Sequence, residues 1–140
     1  GTLNAQTLSA YSVPPASVQN QQPLEFDRTS QRTGDAISHA NGSTDFILSR
    51  PGVYLASFSG TFSPASDTSL PTTLLLNFEL NGADLPGAAA QHNFVSSGET
   101  QTESFSLLFQ VTSGPSTLQV VASGGTFVYS TNTLNLVKLS

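Results

Sequence analysis

The sequence predicts an all-β fold, an antiparallel sandwich of two sheets. Three observations predict it. Apolar residues recur at period two in several runs, which is the spacing of a half-buried strand. Turn-forming residues arrive about every ten positions, the rhythm of a sandwich or barrel. No segment shows the apolar spacing of an amphipathic helix. The run Phe46-Ile47-Leu48-Ser49-Arg50-Pro51-Gly52-Val53-Tyr54-Leu55-Ala56-Ser57-Phe58-Ser59-Gly60-Thr61-Phe62 combines all three. Its Ser49-Arg50-Pro51-Gly52 turn separates two strand-like stretches, and Tyr54, Ala56, Phe58 and Phe62 share one face after it.

The elements follow in order. Residues 3–13 read as a first strand, closed by Pro14-Pro15. Residues 16–22 are polar and read as a loop. Residues 24–28 and 36–38 read as short edge strands, and Asn41-Gly42 as a tight turn. Residues 44–49 and 53–62 are the next two strands. Residues 63–71, rich in Ser, Pro and Asp, form a loop. Leu74, Leu76, Phe78 and Leu80 share one face of the following strand, while Leu75, Asn77 and Glu79 face the other way. Asn81-Gly82 is a hairpin turn into residues 83–94. Residues 100–112 place Phe105, Leu107, Phe109 and Val111 inward. Gly114-Pro115 turns into residues 118–122, and Gly124-Gly125 precedes residues 127–129. Residues 133–139 are the last strand. About ten short strands result, arranged as a jelly roll. With 140 residues and no linker or internal repeat, residues 1–140 read as a single domain.

Composition excludes several function classes. Charged residues make up 9% of the chain, against roughly 25% in an average soluble domain. A net charge of −5 leaves no basic stripe for nucleic acid. There is no Cys, hence no disulfide and no thiolate ligand or nucleophile. No apolar run is long enough to span a bilayer, so membrane insertion is not expected. No signal peptide is visible, and a start at Gly1-Thr2 without Met fits a processed fragment. Abundant Ser, Thr, Asn and Gln suit an extracellular or particle-surface location.

No chemistry stands out. The two histidines, His39 and His92, have no nucleophile-elbow serine to serve. His39 reads as a solvated turn residue. The aspartates are scattered, mostly near turns, whereas calcium needs about six to eight oxygen ligands. Glu79, Glu99 and Glu103 read as solvent-face residues. Phe26, Phe62, Phe94, Phe127 and Tyr129 read as core, with a sugar site as the alternative. Asn41-Gly42-Ser43 is formally a glycosylation sequon and reads as a turn. Catalytic, cofactor-binding and metal residues are therefore expected to be absent.

The sharper signal is apolar residues on the wrong face. Val53 and Leu55 oppose Tyr54, Ala56 and Phe58. Leu108 opposes Leu107 and Phe109, and Val137 and Leu139 oppose Leu134 and Leu136. Fully burying each is worth roughly 1.5–3 kcal/mol. Either loops of the same chain cover them or another chain does.

Several of these residues resemble a known superfamily. Phe46, Gly52, Tyr54 and Phe58 are similar to the central pattern of C1q domains. Thr7-Leu8-Ser9-Ala10, Phe109-Gln110-Val111 with Gly114, and Leu134-Asn135-Leu136-Val137-Lys138-Leu139 resemble its first, sixth core and closing strands. Ala56 departs from it, standing where an aromatic is common. The chain thus resembles the C1q/tumour-necrosis-factor-like superfamily. Gly34-Asp35-Ala36-Ile37-Ser38, with Phe46-Ile47-Leu48-Ser49 and Gly52-Val53-Tyr54, is similar to bacterial spore-surface (exosporium) glycoprotein heads of the BclA type. That resemblance implies a ten-stranded C1q/TNF-like jelly roll assembling as a homotrimer. It would form the non-enzymatic head of a collagen-like spore- or cell-surface glycoprotein. Its expected partners are a second and third copy and a host protein, matrix protein or glycan. By matched position the trimer interface is Val53, Leu55, Leu108, Val137 and Leu139. A carbohydrate-binding jelly-roll module or a viral-type fibre knob is the alternative, binding through residues 63–71 and 88–98. A hydrolase acting through His92 is a third.

Overall fold

The computed structural model describes residues 5–140. Leu3, which the sequence places in the first strand, lies outside the described residues. Twelve strands form: β1 (Gln6–Ser12), β2 (Ala16–Val18), β3 (Gln22–Pro23), β4 (Arg28–Thr33), β5 (Ile37–Ser38), β6 (Phe46–Leu48), β7 (Gly52–Pro64), β8 (Thr72–Leu80), β9 (Ala83–Phe94), β10 (Gln101–Val111), β11 (Ser116–Ser123) and β12 (Phe127–Lys138). The described residues contain no helix, and so none long and apolar enough to cross a membrane.

Two six-stranded antiparallel sheets face each other. The front sheet runs β10-β7-β12-β1-β4, with β2 also on β12. The rear sheet runs β5-β6-β11-β8-β9, with β3 also on β11. From β6 to β7, β7 to β8, β9 to β10, β10 to β11 and β11 to β12 the chain crosses between sheets. Most neighbours in a sheet are therefore distant in sequence, the mark of a jelly roll.

The core is where the two period-two patterns meet. Strand β7 buries Tyr54, Ala56, Phe58 and Phe62, as their shared face predicts. The rear sheet answers with Leu74, Leu76 and Phe78 from β8 and Leu118, Val120 and Ala122 from β11. Phe78 and Phe105 pack across the interior with centroids 4.5 Å apart. The buried Tyr54 hydroxyl donates to the Arg50 carbonyl at 2.7 Å, and the Tyr129 hydroxyl accepts the Glu25 amide at 2.9 Å. Both phenols are thereby satisfied inside an apolar core. Phe26, Phe62, Phe94, Phe127 and Tyr129 are all core residues, and of these Tyr129 also reaches a surface pocket beside Glu25 and Thr44.

Several elements differ from the sequence reading, each through long-range pairing. Residues 16–22, read as a loop, supply β2 on the front sheet and the start of β3 on the rear one. They strap one end of the sandwich; the Leu24 amide continues the strap by donating to the Val120 carbonyl at 2.8 Å. Residues 24–28 are not an edge strand. Leu24 and Phe26 are core plugs, and β4 begins only at Arg28. The strand read at residues 44–49 shortens to Phe46–Leu48. The two last strands are one, β12, with a bulge between Ser130 and Thr133 where Thr131 has φ 52° and Asn132 is buried. Residues 88–94 belong to β9, so the stretch 88–98 is mostly strand. The count is twelve, where the sequence suggested about ten.

The hairpin at Asn81-Gly82 forms as read. Asn81 (φ 54°) and Gly82 (φ 82°) both take positive φ, and Leu80 pairs with Ala83 across a two-residue loop. A Cβ on Gly82 would meet nothing within 4 Å. Gly124 (φ 112°) differs, because a Cβ there would overlap the Thr73 carbonyl oxygen. Gly82→Ala therefore costs only the positive φ, about 1 kcal/mol. Gly124→Ala adds a backbone clash between β8 and the β11–β12 turn, for at least about 3 kcal/mol. Urea unfolding midpoints of the two variants check the order. A Gly124→Ala midpoint equal to that of Gly82→Ala would contradict it.

Candidate subunit interface

The outer face of the front sheet gathers every residue the sequence singles out for an interface. Strand register sets the arrangement. Leu108 pairs with Leu55, Leu55 with Val137, and Val137 with Thr7, giving one cross-strand row over β10, β7, β12 and β1. Val53 lies one step further along β7, opposite Gln110. Leu139 follows the end of β12 and stays attached, its amide donating to the Val53 carbonyl at 2.7 Å. Val53, Leu55, Leu108, Val137 and Leu139 thus lie on two adjacent rows of one face. Leu108 is 59% exposed and Leu139 56% exposed, and no loop among the described residues covers them. Val53, Leu55 and Val137 are half-buried by their strand neighbours alone.

The rows behind this apolar end are small and hydroxylated. Ser9, Asn135, Ser57 and Ser106 form the next row, and Tyr11, Thr133, Ser59 and Ser104 the one after. Thr61 and Thr102 extend it. Two neighbour pairs bond: the Ser9 hydroxyl donates to Asn135 Oδ1 at 2.6 Å, and the Thr61 and Thr102 hydroxyls share a 3.0 Å bond. None of these positions is Asp, Glu, Lys or Arg. A four-strand face without a charge is unusual for a solvated surface, and loss of charge is the compositional mark of an interface core.

Charges are placed elsewhere. Arg28 and Arg32 lie on β4 at the edge of the sheet, and Arg50 pairs with Asp35 at 3.0 Å, an exposed contact. Chemistry finds no assembled site. His39 is not solvated as its turn context suggests. Its ring stacks on buried Phe46 with centroids 4.4 Å apart, its Nδ1 meets the Thr29 hydroxyl at 2.9 Å, and its Nε2 meets the Ser43 carbonyl at 2.9 Å. His92 bonds Glu99 at 2.5 Å, and Glu99 also accepts the Val95 amide at 3.0 Å. Glu99 is therefore a loop clasp, where the sequence suggested a solvent-face residue. Its hydrogen bonds from His92 and Val95 hold its carboxyl below the usual range. Neither imidazole contacts a serine hydroxyl. Sequence reasoning missed both clasps, because residues 29 and 39, or 92 and 99, meet only once the intervening loops fold back. Among the described residues no group of three metal-binding side chains exists.

No family model matches the chain, and no curated protein matches it by sequence. Solved structures do match in shape. Eiger TNF from S. frugiperda superposes with a TM-score of 0.70 at 13% identity, covering 99% of this chain and 94% of that one. Murine APRIL at pH 5.0 gives 0.69 at 14% identity, covering 96% and 99%.

Burial holds the His39 pKa below its ordinary 6.5 despite the opposing pull of the Ser43 carbonyl and Asp45. The folded state thus favours neutral imidazole. Above pH 6.5 folded and unfolded chains both hold it neutral. As pH falls below 6.5 the unfolded chain takes up the proton first, and stability is lost down to the lowered pKa. An NMR titration of the His39 ring gives a midpoint below 6.5, and a midpoint at or above it would overturn this account of the site. The match to these solved structures over nearly the whole chain shows the fold: it is a jelly roll of the TNF-like type.

Proposed function

We propose that the chain is the non-enzymatic trimeric head of a collagen-like spore- or cell-surface glycoprotein, holding three chains together and presenting a ligand-binding or adhesive surface. The observation that supports this most is the uncharged outer face of β10, β7, β12 and β1, with Leu108 and Leu139 open to solvent beside Val53, Leu55 and Val137. Water covers that face at a cost, and a second copy removes the cost. Each apolar side chain fully buried contributes roughly 1.5–3 kcal/mol. A heterologous contact repeated about a three-fold axis closes into a ring and leaves no copy of the face exposed.

The position of the apolar end supports a stalked head. Strand β1 begins at Gln6 and β12 ends at Lys138, and these two residues are partners. The start of β1 and the end of β12 therefore lie together beside the Thr7-Val137-Leu55-Leu108 row. Three heads joined there would bring three preceding segments into register, which removes much of the loop-closure cost of starting a triple helix. The non-enzymatic reading draws on the two histidines, both committed to structural bonds with Thr29, Ser43 and Glu99.

Light scattering on the purified chain is the test, with Leu55→Asp and Leu108→Asp alongside. The wild type gives three times the chain mass. Each aspartate places an unpaired charge in the contact and costs about 3–5 kcal/mol there, so both variants run as folded monomers. Leu108 is exposed in the single chain, so a normal circular dichroism melt is expected for its variant. A monodisperse, folded wild-type monomer sinks the proposal and favours a single-copy glycan-binding module.

A further inference from the structure

We propose that the outer face of the rear sheet carries a docking cleft for a lysine or arginine side chain of a partner polypeptide, built by the irregular pairing of β8 and β9. The register shows how the cleft arises. Asn77 pairs with Ala89 and Glu79 with Asp84. Between those pairs β8 has one residue, Phe78, while β9 has four, residues 85–88. The extra residues arch away from the ladder. Pro86 lacks an amide hydrogen to donate, and Gly87 takes φ 111°, which lets the arch turn back. A Cβ on Gly87 would stand 3.1 Å from Leu107 Cδ1, so the arch rests on the edge of the core. Between arch and sheet lies an open cleft of about 650 Å³. Leu75, Leu85, Pro86 and Ala88 supply its apolar walls, and Asn77 and Asp84 its polar end. Leu75 is 37% exposed there.

The charges at that end lack a counter-ion. Glu79 and Asp84 face each other directly across the strands, where like charges destabilise a sheet. Asn77 Nδ2 donates to Asp84 Oδ1 at 2.9 Å and fixes that carboxylate at the mouth of the cleft. Among the described residues the ion pairs are Arg50–Asp35 and His92–Glu99, and neither involves this pair. Burial and then the Asp84 charge raise the Glu79 pKa, as expected for an acid beside an uncompensated acid.

A lysine or arginine side chain matches both halves of the cleft. Its aliphatic stem covers the apolar walls while its charged head reaches Asp84 and Glu79. A bare divalent ion matches poorly, since calcium needs about six to eight oxygen ligands and the walls are hydrocarbon. The cleft is also open along one side, whereas sites for free small molecules bury most of their ligand. A side chain presented from another protein brings its own cover. The cleft lies on the opposite sheet from the proposed subunit contact, so the inference does not depend on trimer formation.

The test uses the blocked tripeptide acetyl-Gly-Lys-Gly-amide, followed by amide chemical shifts of the purified chain. Its norleucine counterpart keeps the stem without the charge, and calcium chloride supplies the charge without the stem. Saturable shifts confined to Leu75, Asn77 and residues 84–89 are expected for the lysine peptide, with affinity at least about fivefold weaker for norleucine. Asp84→Asn weakens lysine-peptide binding at least about tenfold, which is about 1.4 kcal/mol. Glu79→Gln, should Asp84→Asn fail to fold, weakens it at least about threefold. Scattered or absent shifts, equal binding of norleucine, or the same shifts produced more tightly by calcium overturn the proposal. A change in solution mass on Asp84→Asn overturns it too, by making the cleft a contact between copies of this chain.

Discussion

The strict alternation along β7 is the constraint on which the rest of the structure depends. This strand spans Gly52–Pro64, lies between β10 and β12, and pairs with both over most of its length. Its odd and even residues have opposite duties. Tyr54, Ala56, Phe58, Gly60 and Phe62 go inward, and Val53, Leu55, Ser57, Ser59 and Thr61 go outward. A slip of one residue would put three aromatic rings into solvent and the three hydroxylated residues Ser57, Ser59 and Thr61 into the core, so register is fixed from one side. The same register then dictates the outer face. Because Leu55 must oppose Leu108 on one flank and Val137 on the other, core packing lays the apolar row across the sheet. An inner requirement and an outer surface are thus one pattern read from two sides.

The outer face is graded, and the gradient has physical content. At the end where β1 starts and β12 ends it is aliphatic and gains from exclusion of water. Toward the other end it is mostly Ser, Thr and Asn, and two pairs already bond, Ser9 with Asn135 and Thr61 with Thr102. Such pairs lose little when a second surface covers them, because their hydrogen bonds travel with them. A charge at the same positions would have to be desolvated at several kcal/mol. Association through this face would therefore draw its energy from one end and tolerate burial at the other.

What the sequence reveals of this fold follows the range of the interactions involved. Alternation in β7 and β8 and the Asn81-Gly82 hairpin are local properties, and they are legible without any structure. The outward set Val53, Leu55, Leu108, Val137 and Leu139 is legible for the same reason, since each residue is out of phase with its own strand. Its convergence on two rows of one sheet depends on register, which no single strand contains. The misreadings all lie where distant pairing decides. Residues 16–23 are too polar to look like strand and become strand by lying against β12 and β11. Leu24 and Phe26 alternate like a strand because they plug the core from outside a ladder. His39 looks like a turn residue until Phe46 arrives beneath it. Residues 85–88 look like ordinary hairpin until β8 supplies only Phe78 opposite them.

The two sheets spend their polar residues differently, and that difference argues for a division of labour. Across β10, β7, β12 and β1 the front face carries no charge, Arg28 on edge strand β4 lying beside Tyr11, so covering those four strands with a surface of similar character lowers the free energy. The rear face keeps its acids, sets Glu79 against Asp84, and breaks its own ladder to open a cleft beside them. Arches of this kind cost pairing, and like charges opposed across strands cost more. Neither feature helps the core, which Leu74, Leu76 and Phe78 already seal beneath it. A protein that merely needed a solvated back would do better with a regular edge and mixed charges. The irregular, acidic rear face and the plain, largely neutral front face thus differ in kind, which fits the proposal that the front face joins copies of the chain and the rear cleft takes a basic side chain.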